Sequence, residues 1–322
     1  MSGQTALVTG VAGFIGSATA RRLLDDGWRV VGVDCLTDYY DAAQKRANLA
    51  TLEGRDGFAF RQDDLAITDV GGLVDGADAV IHLAGQPGVR ASWGASFAPY
   101  LEMNVLVTQR LLEAARVAGV DRFVYASSSS VYGRAERYPT RETDLPAPIS
   151  PYGVTKLGGE HLARLYAANF GVPTVSLRYF TVFGPGQRPD MAMHKLIRSA
   201  LMGTPFPLYG DGSAVRDFTF IGDVVDANVR AATRPGVEPG TVLNIGGGSD
   251  GITMREVIDV VAREVGVAPR LERHKAMPGD PARTGADTAR AREVLGWVPG
   301  TDVVEGIARQ AAWQRHLLSV TA

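Results

Sequence analysis

Tyr152 and Lys156 stand four residues apart in Ser150-Pro151-Tyr152-Gly153-Val154-Thr155-Lys156, and a serine run, Ser127 to Ser130, lies about one strand and loop upstream. Together these are the parts of a proton-transfer site. With Pro151 opening a helix, the spacing puts phenol and ammonium on one face, one turn apart. The ammonium is expected to favour the phenolate, lowering a tyrosine whose ordinary value, roughly 10, is too high for a base at neutral pH. A serine hydroxyl can meet the same substrate oxygen. Tyr-x-x-x-Lys by itself is common on exposed helix faces, so its meaning depends on what surrounds it.

The amino terminus supplies that context. Thr5 to Thr9 is a short apolar run, followed by Gly10-Val11-Ala12-Gly13-Phe14-Ile15-Gly16 and an apolar-periodic stretch through Leu24. This reads as strand, glycine turn and helix, with Phe14 and Ile15 at the helix start. Gly10 permits the tight turn, Gly13 lets backbone amides approach a pyrophosphate, and Gly16 lets helix pack on strand. A second strand, Arg29 to Val33, ends in Asp34, whose carboxylate can accept both ribose hydroxyls and would repel a 2′-phosphate, so NAD is expected in preference to NADP.

Strand candidates Thr5 to Thr9, Arg29 to Val33, Phe58 to Gln62, Ala79 to Leu83, Phe123 to Ser127 and Thr174 to Leu177 alternate with helical stretches at Phe14 to Asp26, Phe97 to Ala118 and Tyr152 to Phe170. Such alternation predicts an α/β fold, a doubly wound parallel (Rossmann) sheet that binds its ligand at the carboxyl ends of the strands. The chemistry collects there: the glycine turn, Asp34, Asp64-Leu65, Leu83-Ala84-Gly85 and Ser127-Ser128 all follow strand ends. After Tyr179, prolines and glycines punctuate shorter elements, which suggests an NAD-binding domain over 1–180 and a smaller α/β substrate-binding region over 181–322. Val224 to Ala232 and Val242 to Ile245, in a return segment near 220–246, can add a helix and a strand to the first sheet.

The 322 residues, 45% of them hydrophobic, can bury a substantial core, and a formal net charge of −2 argues against a general nucleic-acid or membrane-surface role. One cysteine, Cys35, rules out an intrachain disulfide and fits a reducing compartment. No leader pattern and no run of about 20 apolar residues is present, so a cytoplasmic protein is expected. His82 falls in an apolar strand and reads as a satisfied core residue; His161, His194 and His274 have no metal-ligand spacing, so no metal is expected.

With Gly10-x-x-Gly13-x-x-Gly16, Asp34, the serine run and Tyr152-x-x-x-Lys156 in order, the chain resembles the extended short-chain dehydrogenase/reductase family over nearly its full length. The resemblance implies that Tyr152 and Lys156 bind the nicotinamide ribose and activate a sugar hydroxyl. It makes Ser128, four residues before the tyrosine of Val131-Tyr132-Gly133, the catalytic hydroxyl, and adds Asn104 and Tyr179 to the cofactor contacts. Gly88-Val89-Arg90, the stretch from Asp34 to Asp41, and the segment from Arg178 to Ala192, with Arg188-Pro189-Asp190-Met191-Ala192, look like UDP-glucuronic acid 4-epimerases. Within that group the chain also resembles an epimerase of a moenomycin-type antibiotic pathway. UDP-glucose 4-epimerases typically carry Asn where this chain has Thr181. Sugar dehydratases place Asp-Glu where it has Ser129 and Ser130, so elimination of water is not expected.

The implied reaction is NAD-dependent inversion at C4 of UDP-glucuronic acid to UDP-galacturonic acid through a 4-keto sugar, with UDP-glucose as the alternative substrate. A 4-keto uronate can lose its C6 carboxylate, and Thr181, Arg188, Ser129 and Ser130 are the candidates to restrain it. Met191 and Ala192 belong to the same expected substrate set. For the nucleotide, the resemblance implies Arg216 at the diphosphate, Asp280 at the ribose and backbone around Pro207 to Tyr209 at the uracil. The family often has Arg where Met277 stands, a loss that Arg90 or Arg283 would offset. Relatives dimerise through the two helices Phe97 to Ala118 and Tyr152 to Phe170, whose apolar residues beyond one inward face include Leu111, Leu112, Leu162 and Leu165, so a homodimer is expected.

Overall fold

The computed structural model describes residues 3–248, 250–276 and 279–321. Six strands joined by helical crossovers build its first half: β1 (Thr5–Thr9), β2 (Arg29–Val33), β3 (Phe58–Arg61), β4 (Ala79–His82), β5 (Arg122–Ser128) and β6 (Thr174–Tyr179). Between them run helices α1 (Phe14–Asp25), α2 (Ala42–Ala50), α3 (Val70–Val74), α4 (Phe97–Leu101), α5 (Val107–Ala118) and α6 (Pro151–Phe170). A seventh strand, Thr241–Ile245, pairs with β6, and the spatial order is Thr241–Ile245, β6, β5, β4, β1, β2, β3, parallel throughout. The chain order reverses between β1 and β4, which opens a crevice at the carboxyl ends of those strands. β5 and β6 are buried at every position, as strands covered by helices on both faces must be.

The helix expected over Phe97 to Ala118 is interrupted. A π-helical turn, Glu102–Leu106, separates α4 from α5. It holds Asn104 against the loop after β4, where its Oδ1 accepts the Gln86 amide at 2.8 Å and its Nδ2 donates to the Gln86 carbonyl at 3.0 Å and to Thr155 Oγ1 at 3.0 Å. Inserting one residue into a helical turn re-aims a side chain, a common use of π turns at functional sites.

The second half supplies paired short strands: Thr181–Phe183 with Phe218–Phe220, Val215–Arg216 with Ile252–Thr253, and Pro205–Tyr209 with Arg270–His274. The helix Ile221–Thr233 returns to pack on α1 and leads into the seventh strand. One apolar core runs through both halves, from Ala6 to Ala311.

Leu111 and Leu112, expected on a partner-facing surface, are fully buried against β4 and β5 instead. The apolar side chains left outside on these helices are Leu101, Leu106, Val154 and Leu165, between 45% and 54% exposed. Among the described residues no helix is long and apolar enough to cross a membrane, and no group of His, Cys, Asp and Glu is arranged to hold a metal ion.

Candidate active site

Ser150 and Pro151 open α6 as their types dictate: the Ser150 hydroxyl accepts the Gly153 amide at 3.1 Å, and proline fills the first turn. A Cβ on Gly153 would stand 2.6 Å from the Ser130 carbonyl, so glycine lets the helix start press against the 3₁₀ turn Ser129–Val131. This contact brings the Tyr152 phenol to Ser128 at the end of β5. Burial pushes the phenol above its ordinary value, and the Ser128 hydrogen bond and the Arg188 charge hold it down. The expected lowering by Lys156 is not what the protein provides. Lys156 is itself buried and depressed to about 8, and its ammonium lies 5.1 Å from the Tyr125 ring centroid.

Beneath the site the polar groups are satisfied in a chain. The Thr9 hydroxyl accepts the Leu83 and Ala84 amides at 3.2 and 3.1 Å, so its proton goes to His82 Nδ1 at 2.8 Å. That leaves His82 Nε2–H to donate to Thr108 Oγ1 at 3.1 Å, and Thr108 donates to the Asn104 carbonyl at 2.8 Å. Burial depresses His82 to about 3, a neutral core histidine as its strand position suggested.

The glycine turn has the expected geometry. Gly10 sits at φ +69°, where a Cβ would meet the Ala84 amide at 2.8 Å, and a Cβ on Gly16 would come within 2.1 Å of the Gly10 carbonyl. Gly13 opens α1. Gly10, Gly13, Phe14, Ile15, Gly16, Asp34, Leu65, Leu83, Ala84, Gly85, Ser127, Tyr152, Lys156 and Tyr179 line one cavity. The Asp34 carboxylate accepts the amides of Ala12 and Leu36 at 3.1 and 2.8 Å. Asn104 stands behind the wall as a support through Gln86. Asp64 is turned outward: it is exposed and caps the amide of Ala66 at 2.9 Å, while its neighbour Asp63 lines the cavity. Lys45 was missed. This buried lysine of α2 donates to the carbonyl and hydroxyl of Thr37, each at 2.8 Å, on the cavity wall near Asp34. A lysine in a polar helix gives no sequence signal of burial.

At the far end of the cavity Arg188 donates through Nε and Nη2 to the two oxygens of Asp190, both at 2.9 Å, and lies over the rings of Tyr39 and Tyr40 at 5.8 and 6.0 Å. The surrounding segment is held by glutamines, Gln187 and Gln310 fully buried. Gln44 donates to the carbonyls of Gly186 and Gln187, and Gln310 donates to Gln187 Oε1 at 2.7 Å while accepting the Gly184 amide. Thr181 and Ser129 and Ser130 are partly buried, and Met191 and Ala192 begin the following helix Ala192–Met202 at the rim.

The expected nucleotide residues also meet. Arg90 pairs with Asp280 at 2.6 Å and lies 4.1 Å over the ring of Tyr209, on the strand that carries Pro207. The charges of Asp280 and Arg90 also act on the half-buried Arg216 guanidinium, whose Nη1 donates to the Val215 carbonyl. Met277 lies outside the described residues. Asp217 orders a turn, accepting the amides of Gly247 and Ala286 at 2.6 and 2.9 Å.

A buried network supports β5 from behind. Glu160 accepts Ser127 Oγ at 2.7 Å and pairs with Arg178 at 2.6 Å, with 1% and 3% of the two side chains exposed. Arg178 continues to the Tyr132 hydroxyl, and Tyr132 to Asn244. Removing one member of a buried pair strands the other charge. Glu160→Ala is therefore expected to lower the unfolding free energy by about 3–5 kcal/mol, read as a shift in the denaturant midpoint.

The comparisons with known proteins agree with this geometry. The model of the NAD dependent epimerase/dehydratase family matches residues 6–246. The chain belongs to that family. UDP-glucuronic acid 4-epimerase from Bacillus cereus, solved with UDP-glucuronic acid and NAD, superposes with a TM-score of 0.94 at 41% identity, over 98% of this chain and 100% of that one. MoeE5, solved with UDP-glucose and NAD, gives 0.89 at 42% identity, over 98% and 99%. UDP-glucuronate 4-epimerase of Thermodesulfobacterium geofontis (strain OPF15) is 37% identical over 96% of each chain.

NAD is the cofactor of this family member, and the residues present fit it. The glycine cradle admits backbone approach, Asp34 stands at the end of β2, and the Lys156 ammonium reaches the cavity with no hydrogen-bond acceptor for it among the described residues. Gly16→Ala is expected to push α1 off the Gly10 carbonyl, and the purified variant to carry less than about a tenth of the parental NAD, read by releasing and quantifying the nucleotide.

Proposed function

We propose that the protein is a 4-epimerase that interconverts UDP-glucuronate and UDP-galacturonate through a transient 4-keto sugar. Bound NAD supplies a reversible hydride acceptor at C4. Tyr152 takes the proton of the C4 hydroxyl, Ser128 hydrogen-bonds the same oxygen, and Lys156 holds the nicotinamide ribose. The keto sugar rotates within the site, and Tyr152 returns the proton to the C4 oxygen from which it came. The substrate region lies within residues 181–322, with Arg216 at the diphosphate, Asp280 at the ribose and backbone at Pro207 to Tyr209 at the uracil.

The observation that carries the uronate reading is Arg188, a largely buried cation in the same cavity as Tyr152, with Thr181 where epimerases of neutral sugars offer an amide. The test is incubation of holoenzyme with UDP-glucuronate and with UDP-glucose separately, with chromatographic resolution of epimer, pentose and keto products. UDP-galacturonate without net NADH formation is the expected product. Exclusive turnover of UDP-glucose would overturn the uronate reading, and carbon dioxide with pentose as the main product would point to a decarboxylating oxidoreductase.

One observation favours a second, relaxed reading in which UDP-glucose is also epimerised. The Arg188 charge is already balanced by Asp190, so a neutral hydroxymethyl group need not leave a bare cation beside it. The exposed Leu101, Leu106, Val154 and Leu165 on α4 to α6 further suggest a homodimer across these helices, which sedimentation at micromolar concentration would detect.

A further inference from the structure

We propose that Arg110 is a positioning residue for the cofactor: from α5 it fixes the loop after β3 that walls the adenosine end of the cavity, and so sets how long NAD stays bound. The inference rests on the NAD site alone and does not depend on which sugar is converted.

The sheet order decides which wall this is. β5 lies two strands from β1 on one side and β3 two strands from it on the other. A dinucleotide with its pyrophosphate at the glycine turn after β1 and its nicotinamide by Ser127 and Tyr152 must therefore place its adenosine by Asp34 and the loop after β3. Asp63 and Leu65 of that loop line the cavity. The loop's backbone is satisfied from two sides. Within it Asp64 gathers the amides: its carbonyl accepts Ile67 and Thr68 at 3.1 and 2.9 Å, and its side chain accepts Ala66 at 2.9 Å. The carbonyls go to one guanidinium. Arg110 Nη1 donates to the carbonyl of Leu65 at 2.8 Å and to that of Ala66, and Nη2 donates to the carbonyl of Thr68 at 2.6 Å. Among the described residues no carboxylate pairs with Arg110, so its donors are committed to the loop. A planar fork that meets three carbonyls fixes their position where a flexible ammonium would not. The same run of helix holds the neighbouring wall, because Asn104 of the π turn bonds the amide and carbonyl of Gln86, which lines the cavity after β4. Losing Arg110 leaves the three carbonyls to water and frees the Leu65 wall to move off the adenosine.

The experiment uses holoenzyme of the parent, Arg110→Met, Arg110→Lys and, as a control for stability, Val257→Ala, which empties a buried position in the helix Met254–Val265, outside the cavity lining. Each is diluted, well below its unfolding midpoint, into an enzyme that destroys free NAD, and the NAD left on the protein is counted with time. Affinity differences between related complexes fall mostly in the release rate. Arg110→Met is expected to release NAD at least about tenfold faster than the parent, the scale of one lost charge-assisted hydrogen bond. Arg110→Lys should fall between the two, and Val257→Ala should match the parent although its midpoint drops. With saturating NAD and no scavenger, Arg110→Met should refill to the parental NAD content, because the glycine turn and Asp34 are intact. Release at the parental rate from Arg110→Met, or release that follows the denaturant midpoint in every variant including Val257→Ala, would overturn the proposal. So would failure to refill, which places the damage beyond the Leu65 wall. If Arg110→Met does not fold, Arg110→Lys is read by the same rule, since it keeps the stem and the charge but not the planar fork.

Discussion

Tyr152→Phe is expected to slow epimerisation by about 10²–10⁴-fold in a holoenzyme that keeps its NAD and its stability. The ring survives the change, so its edge-on packing on Tyr100 survives too. The helix start is also untouched, because Ser150 caps α6 and Pro151 fills its first turn independently of the phenol. What disappears is the oxygen that receives the proton. Ser128 cannot replace it: its hydroxyl is a weak base, and it already accepts the amide of Ser130 at 3.1 Å. Lys156 is directed at the Tyr125 ring, and His82 is a buried neutral histidine with both ring nitrogens bonded to threonines. Initial rates of epimer formation, set beside the NAD released from denatured protein, test the expectation. Undiminished turnover would remove the phenol from the mechanism, and loss of NAD in parallel with activity would show that it mainly holds the cofactor.

Much of the site was legible because period and punctuation report it locally. Alternating strands and helices placed the glycine turn, Asp34 and Tyr152 at the carboxyl edge of one sheet, and the α6 cap was readable from Ser150 and Pro151. The signals that failed were of two kinds. Where apolar residues continue on both sides of an interruption, as around the π turn Glu102–Leu106, periodicity does not say which of them face the sheet, and Leu111 and Leu112 do. Where a polar residue's task is set by a distant partner, spacing is silent: Tyr132 meets Asn244 across 112 positions, and Gln187 meets Gln310 across 123. Asp64 and Asp63 show the limit at smallest scale, since of two adjacent carboxylates after one strand Asp63 lines the cavity and Asp64 accepts the Ala66 amide. The electrostatic assignment failed for a different reason. A Tyr-x-x-x-Lys spacing brings two side chains to one face, but it does not report how deeply both groups are buried, and burial pushes the phenol up and the ammonium down.

Thr181→Ala and Arg188→Ala are each expected to divert UDP-glucuronate toward UDP-4-keto-pentose and carbon dioxide, raising the pentose-to-epimer ratio by at least about tenfold, or roughly 1.4 kcal/mol of lost restraint. Once C4 is a ketone the C6 carboxylate is β to it, and carbon dioxide leaves when the C5–C6 bond aligns with the carbonyl π-system. A site that epimerises without this loss must hold the carboxylate near the carbonyl plane. Thr181 and Arg188 are both held in place. Thr181 starts a strand whose amide donates to the Asp217 carbonyl at 3.1 Å, while both Asp217 side-chain oxygens are tied to backbone amides, so its position is rigid. Its hydroxyl has no partner among the described residues. Arg188 is oriented by Asp190 and by the glutamines that hold residues 184–187, and Ser129 and Ser130 lie in the turn packed on the start of α6. Removing one donor lets the carboxylate rotate while Tyr152 and the cofactor cradle remain, so oxidation proceeds and the leak appears as product, not as lost binding. UDP-glucose has no carboxylate to lose and is the control: its epimerisation by Thr181→Ala should stay within severalfold of the parent. If both variants convert UDP-glucuronate at the parental rate with no carbon dioxide released, the restraint resides elsewhere, and Thr181 and Arg188 have no part in choosing epimer over pentose.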